Sequence, residues 1–204
     1  MFDVLVEGHF AKHGKVERAV VTAAELKSNP NKKGHITGYT ENDPNLVTII
    51  IKDHLALAGS EMGLDTKGVM DKDSKYSIVL RNMFQATVVI IQQFSTDMMG
   101  AYRSAFNKKT ESSITPSRLD FGDSKAPFRD ADVVMGYVKP QAQFPTFEGF
   151  DLLPANAGGL GDCFVASYLM KNRYGPANFM FPLFINAIAG TVYDLPANAN
   201  PFEM

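Results

Sequence analysis

Cysteine is nearly absent from this chain of 204 residues. A single thiol, Cys163, rules out a disulfide framework and any zinc site built from cysteines. It fits a reducing compartment, so a cytoplasmic location in a bacterial cell or phage-infected host is expected. The four histidines are scattered without ligand spacing. The opening Met-Phe-Asp-Val lacks the cationic region and apolar core of a secretory signal. No apolar run reaches the length needed to cross a bilayer, so no membrane partner is expected. A formal net charge of −2 excludes a global basic field. Any contact with nucleic acid must therefore come from local loops. Internal repeats and low-complexity tracts are absent as well. What remains has ordinary hydrophobic content and a length suited to one domain with extensions.

Four apolar runs organise the chain. Leu46-Val47-Thr48-Ile49-Ile50-Ile51-Lys52-Asp53-His54-Leu55 is a β-branched stretch of the kind found in a strand buried on both faces of a parallel sheet. It ends in a carboxylate, Asp53, at the carboxyl end of the strand, where an α/β sheet places ligand chemistry. Thr87-Val88-Val89-Ile90-Ile91-Gln92-Gln93 repeats the pattern and ends in amides. Between the two, residues 74–86 read as a helix. Tyr76, Val79, Leu80, Met83 and Phe84 form its apolar stripe, and Ser74 is its expected cap. Strand, helix, strand is the right-handed parallel crossover unit. Arg129-Asp130-Ala131-Asp132-Val133-Val134-Met135-Gly136-Tyr137 is a third strand entered through acidic residues. The fourth run, Phe164 to Met170, leads into Lys171-Asn172-Arg173-Tyr174-Gly175-Pro176 and a further run from Phe179 to Ile185. Period-2 geometry puts Lys171 and Arg173 on one face of this strand. Gly-Pro turns the chain. A hairpin with two neighbouring cations suits a polyphosphate.

The remaining segments are punctuated by turn residues. Residues 2–13 read as an amphipathic helix stopped by Gly14, and residues 16–27 suit helix or strand. The Asn- and Pro-rich stretch 28–34 reads as a loop. Residues 59–73, with Lys67 and Lys72, read as a polar loop. Between Gln93 and Phe128 lies a long segment with Arg103, Lys108, Lys109 and Arg118, helical at residues 97–106 and loop beyond. Residues 139–162 form a second Pro- and Gly-rich excursion. There, Phe144, Phe147 and Phe150 read as packing groups rather than stacking platforms.

In this order and spacing, the four runs resemble the RecA-like motor domain of DnaB-type replicative DNA helicases, over roughly residues 46–196. That family has a strand ending in Asp, a strand ending in Gln, an Asp-Ala-Asp-Val-Val strand and a Lys-Asn-Arg-x-Gly-Pro hairpin. The resemblance implies an α/β, RecA-like fold of the P-loop NTPase type: a mostly parallel sheet closing on a C-terminal β-hairpin, with the N-terminal part of the motor domain missing. Residues 1–45 would be a connecting helix and loop segment, residues 46–196 the helicase core, and residues 197–204 a flexible tail. It further implies an ATP-dependent DNA helicase with ATP and Mg²⁺ as cofactors. Asp53 would hold the metal. Gln93 would sense the γ-phosphate, while Lys171 and Arg173 would reach ATP held by a neighbouring subunit. Lys67, Lys72, Arg103, Lys108, Lys109 and Arg118 would track single-stranded DNA through the channel of a hexameric ring, with a primase or helicase loader as further partners. No general base is assigned, because Glu7, Glu17 and Glu25 match no family position.

The sequence departs from the family at the phosphate loop, G-x-x-x-x-G-K-[ST]. The nearest stretch, Gly8-His9-Phe10-Ala11-Lys12-His13-Gly14-Lys15-Val16, has one residue too many between its glycines and no hydroxyl for Mg²⁺. The chain alone is therefore expected to hydrolyse little ATP. The rival expectations are a non-hydrolysing RecA-like module for DNA binding and assembly, and another RecA-like ATPase.

Overall fold

The computed structural model describes residues 2–53, 65–94, 115–121, 124–140, 144–153 and 159–195. It divides into two compact units, residues 1–92 and 93–204.

The first unit begins with a helical stretch made of α1 (Phe2–Leu5), a π-helical turn (Val6–Phe10) and α2 (Ala11–His13). Its apolar stripe buries Val6 and Phe10. Gly14 does not end it as a left-handed cap. Its φ of −172° is extended, and it opens strand β1 (Gly14–Arg18). A glycine is needed here because a Cβ would stand 2.5 Å from both the Thr40 carbonyl oxygen and the Tyr39 ring. β1 pairs antiparallel with β2 (Ile36–Glu41).

Between them, α3 (Ala23–Ser28) starts at a capping box in which Thr22 and Glu25 satisfy each other's main-chain N–H. Residues 16–27 therefore divide between strand and helix. Lys32, followed by Thr22, holds the Glu25 carboxyl down to about 2 from its ordinary 4.5. A depressed carboxylate contributes stability that is present above its unfolded pKa and lost as pH falls through the folded value. Fraying of α3 should therefore begin below about pH 4.5 and be complete near pH 2. A ¹³C carboxyl titration of Glu25 checks this, and a midpoint near 4.5 would contradict the box.

Strand β3 (Ile49–Asp53), helix α4 (Thr66–Phe84) and strand β4 (Thr87–Ile91) form the parallel crossover. The helix is longer than its sequence pattern implied, and its cap differs. Asp65 accepts from the Gly68 N–H at 2.7 Å and starts the helix one residue later. Ser74 lies within it, buried. Gln85, in the left-handed region at φ 52°, ends it. Leu80, Phe84 and Ala86 join Val6 and Phe10 in the core of this unit, against Ile50, Val79, Met83 and Val88.

The parallel pair was expected to be buried on both faces. Only the α4 face is covered. On the other face, Ile49 is 60% exposed and Ile51 68%, and Val47, Val89 and Ile91 are also exposed. Two strands leave a crossover with one dry side, whereas a wide parallel sheet carries helices on both.

The second unit holds a four-stranded sheet in the order β10-β9-β8-β5. These strands are β5 (Val133–Val138), β8 (Phe164–Asn172), β9 (Phe179–Asn186) and β10 (Thr191–Asp194). Every neighbouring pair is antiparallel. The expectation of a mostly parallel sheet is thus corrected: among the described residues, parallel pairing is confined to β3 and β4. β8 is central, which is why its residues Phe164 to Tyr168 are all buried. Two short strands, β6 (Thr146–Phe147) and β7 (Phe150–Asp151), lie in the Pro- and Gly-rich excursion. Phe144, Phe147 and Phe150 pack against Phe164 in the core of this unit, as a packing role requires. A short helix, α5 (Ala126–Asp130), precedes β5.

Candidate functional site

Asp53 is the last residue of β3 and pairs with Ile91, the last residue of β4. Both strands run the same way, so the carboxylate stands at the carboxyl edge of the crossover, exposed. Strand alternation sends its neighbour Lys52 to the opposite face, under α4. There Lys52 Nζ lies 2.5 Å from Asp73 Oδ1 and donates to Ser77 Oγ at 2.8 Å. This buried pair pins the carboxyl end of β3 to the helix. The sequence reading missed it, although Lys52 inside an apolar strand signals that a counter-charge must sit on the facing element.

Gln92 and Gln93 follow β4 directly, Gln92 half-buried and Gln93 exposed. Lys67 and Lys72 were expected in a loop but belong to α4, because the Asp65 cap moves the helix start to Thr66. Lys67 is exposed on the first turn. The ammonium of Lys72 lies 5.8 Å from the centre of the Tyr76 ring, whose stacking partner is Phe2 at 4.9 Å. Arg118 is exposed in a short 3₁₀ turn, Arg118–Phe121. Arg103, Lys108, Lys109, His54 and the helix expected at residues 97–106 lie outside the described residues.

Lys171 and Arg173 stand at the end of β8, and both reach the segment joining α5 to β5. Lys171 Nζ donates to the main-chain oxygens of Phe128 (3.0 Å) and Arg129 (2.7 Å), carbonyls at the end of α5. It also lies 5.8 Å from the centre of the Phe128 ring. Burial holds its pKa below the ordinary lysine value, and the nearby Arg173 charge adds to the effect. Arg173 takes a different partner. Its Nη1 lies 2.5 Å from Asp132 Oδ1, and its main-chain N–H donates to the Asp132 oxygen at 2.8 Å. The next residues, Tyr174, Gly175 and Pro176, are exposed. Asp130 pairs with its neighbour Arg129 through two hydrogen bonds, as expected of a structural acid. The Asp132–Arg173 pair was not foreseen. It follows from the antiparallel register, in which Val133 faces Asn172.

The metal and nucleotide implied by the resemblance can be tested against these donors. Mg²⁺ keeps most of its waters and takes one or two carboxylates plus phosphate oxygens. A lone exposed carboxylate at a strand end fits that demand. Among the described residues, no group of three or more His, Cys, Asp or Glu could hold a metal by itself. The stretch Gly8–Val16 does not fit a phosphate cradle, because helix and β1 occupy it.

No family model and no curated protein matches the sequence. The fold, however, is similar to a solved structure of the ATPase domain of a DnaB-like helicase, with a TM-score of 0.55 and 15% identity. The match covers 76% of this chain and 46% of that one. This chain thus spans about half the length of the structure it matches. At this identity, the likeness establishes a shared mixed α/β fold. Among the described residues, no helix is long and apolar enough to cross a membrane.

Proposed function

We propose that the chain is the C-terminal portion of an ATP-dependent, DnaB-type replicative DNA helicase motor that binds Mg-ATP at subunit interfaces and moves on single-stranded DNA. The reading rests chiefly on one observation: Asp53 ends β3 at the carboxyl edge of a parallel β-α-β unit, beside the end of β4. That edge is where open α/β sheets bind their ligands. Similarity to an ATPase domain supports the same reading.

In this arrangement Asp53 holds Mg²⁺ directly or through water, and Gln93 orients the γ-phosphate or the attacking water. An amide suits that task because it both donates and accepts. The end of β8 comes from a neighbouring subunit of a hexameric ring. There, Arg173 offers its guanidinium to the phosphates and Lys171 shapes the base of the turn. ATP supplies the reactive phosphoanhydride. The chain's own groups position it and offset the developing charge. Lys67, Lys72 and Arg118, with Arg103, Lys108 and Lys109, meet the DNA backbone by charge alone, without base readout. A cytoplasmic setting and a primase or loader as partners belong to the same reading.

Titration calorimetry of the chain with ATP, with and without Mg²⁺, tests it. Binding should require Mg²⁺ and vanish in Asp53→Asn. Metal-independent binding unaffected by that change would refute the role of Asp53.

A second reading, a non-hydrolysing module for DNA binding and assembly, is favoured by the absence of a phosphate-loop signature from the 204 residues. Turnover separates the two. Hydrolysis by this chain alone, stimulated by single-stranded DNA, would exclude the second reading. DNA binding with no turnover, even beside a polypeptide that carries the loop, would exclude the first.

A further inference from the structure

The two cations at the end of β8 are held in different ways. Lys171 is fixed by two main-chain carbonyls, Phe128 and Arg129, which cannot leave without unwinding the end of α5. Arg173 is held by one side chain. Its Nη1 meets Asp132 Oδ1, and its side chain remains 47% exposed against 21% for Asp132. The main-chain bond from the Arg173 N–H to the Asp132 oxygen, 2.8 Å long, belongs to the β5–β8 pairing and survives whatever the side chains do. A guanidinium accepts a carboxylate and a phosphate with the same fork geometry. An ion pair exposed to this degree is weak enough to exchange one for the other.

We propose that Asp132 is an intramolecular stand-in for a phosphate, holding Arg173 docked until a polyphosphate presented by another molecule displaces the carboxylate. The ligand class is a polyphosphate chain, whose several charges outcompete a single carboxylate. Lys171 stays in place during the exchange. It keeps the end of β8 registered on α5 while Arg173 turns outward. The latch rests on the proposed role of Arg173 and adds a cost to it: the cation that completes a neighbour's site must first leave its own acid. Asp132 is thus a regulatory residue that touches neither nucleotide nor metal.

Inorganic tripolyphosphate is the probe, and the ¹H–¹⁵N signal of Arg173 Nε in the full chain is the readout, assigned with Arg173→Lys. Adding tripolyphosphate should shift this signal in the natural chain. Asp132→Asn should bind the probe roughly fivefold more tightly, the factor expected from releasing one partly exposed ion pair. Asp132→Ser should behave alike if the amide disturbs the strand. Asp130→Asn removes the same charge two residues away, where the acid is paired with Arg129, and should leave the affinity unchanged. Three results would overturn the latch: unchanged or weaker binding in both Asp132 variants, an equal gain in Asp130→Asn, or an Arg173 signal indifferent to the probe. The probe is not hydrolysed, so a chain without ATP turnover leaves this test intact. A working motor with an unlatched Arg173 would fail this test alone.

Discussion

Asp73→Ala is expected to destabilise the first unit by about 3–5 kcal/mol, the usual cost of leaving one charge of a buried pair uncompensated. The Lys52 and Asp73 side chains are only 9% and 3% exposed and lie 2.5 Å apart, and Ser77 Oγ accepts a further bond from the ammonium. Without the carboxylate, the Lys52 ammonium stays under α4 with one hydroxyl to meet it. Hydrogen exchange of the α4 and β3 amides reports this loss within one unit, independently of the other. The double change Lys52→Met with Asp73→Leu should restore protection to the natural level or above it, because apolar replacement of a buried pair is commonly neutral or stabilising. A single variant costing less than about 1 kcal/mol would show that water reaches the pair. The effect bears on function because Lys52 precedes Asp53. The bridge holds the strand end from which the metal-binding carboxylate projects.

The second large effect concerns rate. In an ATP-hydrolysing assembly containing this chain, Arg173→Ala should lower turnover by about 10³–10⁵, the range seen when a finger supplied in trans is lost. Asp53→Asn should abolish turnover through the opposite half of the site. Neither variant alone should hydrolyse ATP appreciably, but a mixture of the two should recover part of the activity. An interface between an Arg173→Ala subunit and an Asp53→Asn subunit pairs the intact Asp53 of one with the intact Arg173 of the other. Steady-state phosphate release across mixing ratios measures this. A mixture as inactive as its components would mean that both residues serve the same subunit's site, and the interfacial reading would fall. Arg173→Lys should recover little, since an ammonium cannot present the planar fork.

The match between sequence and structure follows the range of the interactions involved. The Thr22–Glu25 box and the apolar stripe Tyr76, Val79, Leu80, Met83 and Phe84 lie within a few residues of their partners. Their elements were therefore readable from spacing. The start of α4 was misread because Asp65 and Ser74 are both good caps by type, and only the buried side chain of Ser74 disqualifies it. Lys171 and Arg173 were visible as a pair of cations on one face. Their engagement with Phe128, Arg129 and Asp132 was not, since the acceptors of Lys171 lie some 42 residues upstream.

Sequence alone determined where strands and helices form, that Asp53 closes an apolar strand before a crossover helix, and that no phosphate-loop signature occurs in these 204 residues. Those properties follow from local periodicity and residue chemistry, which tertiary contacts modify little. Tertiary structure decided which strands pair and in which direction, making β5, β8, β9 and β10 antiparallel. It left one face of β3 and β4 bare, and it chose Asp73 for Lys52 and Asp132 for Arg173. A strand's two edges are chemically alike along its whole length, and an ion pair requires only proximity. Partner choice is therefore fixed by the register of distant segments, which no local pattern encodes.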